Sequence, residues 1–193
     1  MVNRNTGRKL KASETKKLGE GELNIMFSDK HLVMSAQSNC NVMEFLNGQI
    51  NAIEKAVIKE VKLRYPFEKL LTVPGIGGIL GITIMLESGD MNRFQAVSNY
   101  SSYCRCVLSK KVSNGKKKGE NNKKNGNKYL AWAYVETANF MRRYSPEARS
   151  WHQRKVSKTN QIVATKALSN KIARACYFII KDQTDFDSKM LFK

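Results

Sequence analysis

Residues 67–90 read F-E-K-L-L-T-V-P-G-I-G-G-I-L-G-I-T-I-M-L-E-S-G-D, and the fold turns on them. Apolar residues crowd both sides of a Pro-Gly centre. Pro74 cannot continue a helix, and Gly75 and Gly77 allow the backbone angles of a tight turn. The stretch predicts a short helix ending at Val73, a turn, and a second apolar helix from about Gly78 to Glu87, which is a helix-hairpin-helix pattern. In such a pattern the glycines let the backbone approach a phosphate, and the second helix directs unpaired N–H groups at the anion. Gly75, Ile76 and Gly77 would make that contact. The alternative is that P-G-I-G only joins two packed helices.

Helical periodicity continues on both sides. From Asn41 to Tyr65, Val42, Leu46, Ile50, Ile53, Val57 and Val61 recur every three or four residues, and Pro66 closes the run. This stripe suits a helix packed on its own domain, and equally a coiled-coil homo-oligomer through 41–65. Downstream, helices are predicted from Lys128 to about Tyr144 and from Gln161 to about Lys181. Tyr129, Trp132 and Tyr134 lie at helical spacing beside alanines, so they read as core. Residues 1–40 show no sustained period and read as a loose or weakly helical arm; 188–193 form a tail. The expected architecture is mainly α: the arm, an amphipathic helix over 41–66, and a helical domain over 67–187.

Charge narrows the function. The 193 residues hold 34 Lys+Arg against 16 Asp+Glu, a net of +18, with 41% hydrophobic residues to build a core. Residues 1–66 carry 11 basic and 7 acidic side chains, and 67–193 carry 23 and 9. Self-repulsion of this size is relieved by polyanions, so duplex DNA is the expected partner, contacted through the C-terminal two-thirds. No run approaches the ~18 consecutive apolar residues of a membrane span, and the N-terminus has no apolar signal core, so a cytoplasmic, nucleoid-associated protein is expected. Cys40, Cys104, Cys106 and Cys176 lack paired zinc-ligand spacing and read as reduced thiols. His31 and His152 read as surface or capping residues.

Residues 109–128, S-K-K-V-S-N-G-K-K-K-G-E-N-N-K-K-N-G-N-K, hold eight Lys, five Asn, three Gly and one acid. No core can be made from that composition, and the stretch reads as a loop. Apolar segments on either side, S-Y-C-R-C-V-L and Y-L-A-W-A-Y-V-E, would pin its ends. Lys110, Lys111, Lys116, Lys117, Lys118, Lys123, Lys124 and Lys128 then form a candidate clamp on the phosphate backbone.

Taken in order, L-L-T-V-P-G-I-G-G, L-E-S-G-D-M-N-R-F, N-Y-S-S-Y-C, S-N-G-K-K-K-G and N-G-N-K-Y-L-A-W-A-Y-V-E-T-A make the chain from about Phe67 to Asp187 resemble the C-terminal domain of insertion-sequence transposases of the IS110/IS1111 type, with an IS116-like domain. The resemblance implies a DNA recombinase that cleaves and rejoins strands through a covalent phosphoserine. Ser113 matches the family's nucleophile position, Asn114 and Gly115 its turn-forming neighbours, and Ser109 is the rival serine. Asn is able to replace Gly where a left-handed backbone is needed. The family's Y-A-G-L-x-P appears as Tyr103, Cys104, Arg105, Cys106, Val107 and Leu108, with glycine and proline both replaced.

The resemblance further implies a structured guide RNA as partner, and Mg2+ held by four acids of a RuvC-like N-terminal domain. This chain shows no segment resembling that domain: its first 66 residues contain one Asp, Asp29. Glu87, Asp90, Glu120, Glu136 and Glu147 are scattered, and Asp90 reads better as the cap of the M-N-R-F helix. A truncated or split copy that binds no metal itself is therefore expected. The alternative is a non-catalytic DNA- or RNA-binding remnant or regulator.

Overall fold

A computed structural model describes residues 2–61, 65–107, 110–120 and 125–192. The chain is mainly α, in the order α1 (Val2–Thr6), α2 (Ala12–Thr15), α3 (Glu20–Met26), α4 (Lys30–Val61), α5 (Tyr65–Leu71), α6 (Gly78–Ser88), a 3-10 turn (Met91–Arg93), α7 (Val97–Tyr103), β1 (Lys110–Ser113), β2 (Lys116–Glu120), α8 (Lys128–Tyr144), α9 (Pro146–Lys158), α10 (Gln161–Asp182) and α11 (Ser188–Phe192). It divides into two compact units, residues 1–59 and 60–193.

In the first unit, the stretch read as a loose or weakly helical arm holds three short helices and the start of a long one. Leu23, Phe27 and Ala36 form a small buried cluster, with Leu18, Met26, Leu32, Val33 and Cys40 packed on it. The long helix therefore begins at Lys30, eleven residues before the sequence period becomes clear. Asp29 starts it: its carboxylate accepts from the His31 N–H at 2.8 Å and its carbonyl from the Val33 N–H at 3.1 Å. Farther along α4, Val42, Phe45, Leu46, Ile50 and Ile53 are each at least half exposed.

The second unit is built around α10, which packs on α5, α7, α8 and α9. Its buried face carries Ala164, Leu168, Ile172, Ala173, Cys176, Tyr177 and Ile179. Opposite stand Leu130, Ala133, Tyr134, Ala138 and Met141 of α8. The alanines let the two helices approach closely, so two rather hydrophilic sequences still make a dense core. Phe67, Leu70, Val73, Leu80 and Ile84 extend that core. The polar atoms inside it are paired: Ser88 and Tyr100 share a hydrogen bond of 2.7 Å, Tyr100 and Tyr134 one of 2.6 Å, and Tyr177 donates to the Phe94 carbonyl at 3.1 Å. Burial pushes the Tyr100 and Tyr134 hydroxyls well above their ordinary value, so they remain donors at neutral pH.

Helix α9 is an element the periodicity does not suggest. Its start is nonetheless encoded: Ser145 Oγ accepts from the Ala148 N–H at 3.2 Å, Pro146 takes the first helical position, and Glu147 follows in the first turn.

Arg105 has φ 53°. It occupies the position where the resemblance expects glycine, and its side chain holds the conformation by donating from Nε and Nη2 to the Gly126 carbonyl at 3.0 and 2.7 Å. Arg105→Ala keeps the left-handed strain and loses both bonds, so it should destabilise by about 1–2 kcal/mol. Arg105→Gly loses the bonds and the strain together and should stay within about 1 kcal/mol of the parent. Chemical denaturation of both variants, with unchanged denaturant slope, measures the difference.

Candidate nucleic-acid interface

The lysine-rich stretch is not wholly a loop. Lys110–Ser113 and Lys116–Glu120 form an antiparallel hairpin in which Ser113 pairs with Lys116, Val112 with Lys117, Lys111 with Gly119 and Lys110 with Glu120. The reason is local. Asn114 and Gly115 have φ of 53° and 71°, and a two-residue turn with both φ positive matches the right-handed twist of the flanking strands. Composition concealed the hairpin because its lysines, asparagines and glycines show no apolar alternation. Ser113 thus stands at the end of β1, directly before the turn. Its ladder partner Lys116 is exposed, as are Asn114, Gly115 and Lys118. Ser109, Leu108, Lys123 and Lys124 lie outside the described residues.

The hairpin's root is tied into the second unit. The Asn127 N–H donates to the Tyr103 carbonyl at 2.7 Å, and Arg105 reaches the Gly126 carbonyl from the other side. A Cβ on Gly126, whose φ is +91°, would run into the Tyr103 carbonyl. The Asn127 side chain caps α8 by accepting from the Tyr129 and Leu130 N–H groups, while its Nδ2 donates to Glu87 at 2.5 Å. Glu87 is therefore a structural acceptor. Arg93 lies over the Tyr103 ring, 4.6 Å from its centroid, and its hydrogen bonding lowers the Tyr103 pKa.

The turn between α5 and α6 separates its glycines. Gly75 has φ +93°, and a Cβ there would sit 2.7 Å from the Met141 N and 2.9 Å from the Thr137 carbonyl oxygen. Its bare Cα serves close packing on α8, and Ile76 is buried. The expected use of these two residues against a phosphate is not what positions them. Gly77 differs. It caps α6, a Cβ on it or on Gly78 meets nothing within 4 Å, and both are exposed. The first N–H groups of α6 are open there.

Among the aromatic residues of α8, Tyr134 is fully buried, but Tyr129 and Trp132 are 51% and 47% exposed. They leave the core because only every third or fourth position of α8 faces α10. Lys128 Nζ stands 4.9 Å from the Tyr129 ring centroid. Asp90 accepts from the Asn92 N–H at 2.9 Å and caps the 3-10 turn, as the sequence suggests.

His152 is buried rather than superficial, with Nε2 3.0 Å from Thr165 Oγ1. Burial, and then the charge of Arg142, lower its pKa. Cys104, Cys106 and Cys176 are buried free thiols whose pKa values burial raises, which leaves them unreactive. Among the described residues there is no group of three or more His, Cys, Asp or Glu that could hold a metal ion. No helix among those residues is long and apolar enough to cross a membrane.

Residues 67–153 match the profile of the transposase IS116/IS110/IS902 family. A Pseudomonas aeruginosa protein bearing the name "Probable family 20 transposase" is 25% identical over 146 residues, covering 74% of this chain and 43% of that protein. The chain thus spans less than half the length of the curated relative it matches.

Proposed function

We propose that this chain, whose residues 67–153 match the transposase IS116/IS110/IS902 profile, is the DNA-binding, serine-bearing C-terminal part of a recombinase that moves an insertion sequence. The observation that carries the reading is the setting of Ser113: the serine flanks an Asn-Gly turn on a lysine-bearing hairpin rooted in the transposase domain. The hydroxyl would attack a DNA phosphorus. A phosphoserine diester forms, one sugar–phosphate bond breaks, and the departing sugar oxygen takes a proton. Attack by a sugar hydroxyl on that diester rejoins DNA and frees the serine. One diester replaces another, so the exchange needs no external energy. A free serine is a weak nucleophile and needs a base to accept its proton. The acids that assist belong to a RuvC-like partner domain in this proposal, and a guide RNA and a second copy, facing the exposed apolar stripe of α4, are its further partners.

Binding is tested first. If six to eight lysines between Lys110 and Lys128 neutralise phosphates, log affinity for duplex DNA against log salt should have a slope on the order of −5 to −7. Replacing Lys116, Lys117 and Lys118 by Gln should reduce the slope by about three without changing sequence preference. Gly77→Val should also weaken binding by obstructing the start of α6. Fluorescence anisotropy across a salt series reads both. A slope near zero removes the lysine clamp and favours a non-catalytic protein with another partner; unchanged affinity of folded Gly77→Val removes α6 from the interface.

A further inference from the structure

Between the C-terminal half of α8 and α9 lies a cavity of about 540 Å3, lined by Asn139, Arg142, Arg143, Arg149, His152 and Gln153 among others. No carboxylate is among its lining residues, and the Lys69–Asp185 ion pair is elsewhere. Three arginines thus line one concavity that has no carboxylate in its lining, an accumulation of positive charge that favours entry of an anion.

The hydrogen bonds show which donors are free. Arg149 is partly committed, donating from Nε to the Arg142 carbonyl at 3.1 Å and from Nη2 to the Arg143 carbonyl at 2.9 Å, where it closes the end of α8. Arg142 Nη2 donates to Asn139 Oδ1 at 3.0 Å. Its Nε, in contrast, is shielded from solvent and has no acceptor. A buried guanidinium N–H with no partner is uncommon in folded proteins and marks a place where an acceptor is missing. His152 Nε2 is held by Thr165 at 3.0 Å, and the Asn139 and Gln153 amides supply further neutral donors. The volume falls in the range of small-ligand sites, so it admits a phosphate with part of its sugar.

We propose that this α8–α9 cavity is a phosphate-ester site, in which Arg142, Arg143 and Arg149 together hold one phosphate of a bound nucleic-acid strand. Assigning the phosphate to a nucleic acid rests on the proposed function; the anion site does not. The site is separate from the lysine hairpin, and no acid, metal or serine chemistry enters it.

The test uses the whole chain with inorganic phosphate, and separately with a 20-base-pair duplex. Phosphate should raise the melting temperature above that in chloride at matched ionic strength, and Arg142→Gln should abolish that rise. Without phosphate, Arg142→Gln should melt at the parent temperature or higher, because it removes an unpaired buried donor and a repulsive charge. A merely structural arginine would instead lower it. Arg142→Gln with Arg143→Gln should weaken duplex binding roughly tenfold near physiological salt and reduce the salt slope by about two. The same loss should appear when Lys116, Lys117 and Lys118 are already Gln, so failure of the hairpin clamp leaves this result readable. Equal melting in phosphate and chloride overturns the site. Phosphate stabilisation with unchanged duplex affinity overturns its assignment to nucleic acid.

Discussion

Gly75→Val is expected to lower the melting temperature of the second unit by more than about 10 °C, or to prevent a soluble fold. Two costs add at this position. The φ of +93° is one that a β-branched residue avoids, and the new Cβ would stand 2.7 Å from the backbone nitrogen of Met141 and 3.0 Å from the Phe140 Cβ. Helix α8 cannot yield, because it is wedged on its other side against α10 through Ala133, Thr137 and Met141, all fully buried. Together the costs are on the order of 3–5 kcal/mol, a large share of the ~5–15 kcal/mol that holds a domain folded. Gly77→Val, two residues on, meets open space and should cost no more than about 1 kcal/mol as a poorer helix cap. Thermal melts of the two variants read the contrast. Equal stability would mean that the turn does not pack on α8 as described.

That contrast shows where sequence reading of a Pro-Gly motif stops. The turn itself is legible in Pro74, Gly75 and Gly77, and so are α6, α8 and α10, whose apolar period survives because each lies against the core. Which glycine is required for internal packing is not legible, since the approach of Thr137 and Met141 comes from residues more than sixty positions away. The same holds for Arg105. Its left-handed backbone stands where glycine is expected, and the compensation comes from the Gly126 carbonyl across the hairpin. Asn114 and Gly115, by contrast, form a local signal of hairpin geometry, hidden here by the lysines around them.

Helix α9 and the arginine cavity were missed for a related reason. The short α9 is too polar for its period to stand out, although Ser145, Pro146 and Glu147 mark its start. Arg142, Arg143 and Arg149 look like ordinary surface charge until the turn at Ser145 folds α9 back on α8. The small core around Leu23, Phe27 and Ala36 joins three short segments, none long enough to show a period.

In the proposed function Ser113 is the nucleophile, and its replacement should change the chemistry more than any other single substitution. Ser113→Ala should leave folding and duplex affinity nearly unchanged, because the residue ends β1 directly before a two-residue turn and removing one hydroxyl there is expected to cost within about 0.5 kcal/mol. It should nevertheless remove every covalent protein–DNA adduct. Lys116→Gln, at the ladder position opposite, should weaken DNA binding and leave the adduct chemistry in place at saturating DNA. The direct measurement incubates the whole chain with a nicked suicide duplex, guide RNA, magnesium and a RuvC-like domain supplied in trans, then resolves the products by denaturing electrophoresis and maps the modified residue. The expected result is a phosphoserine adduct at Ser113 in the parent chain and none in Ser113→Ala; no adduct from the parent, or one that persists in Ser113→Ala on Ser109 or elsewhere, would show that Ser113 is not the nucleophile.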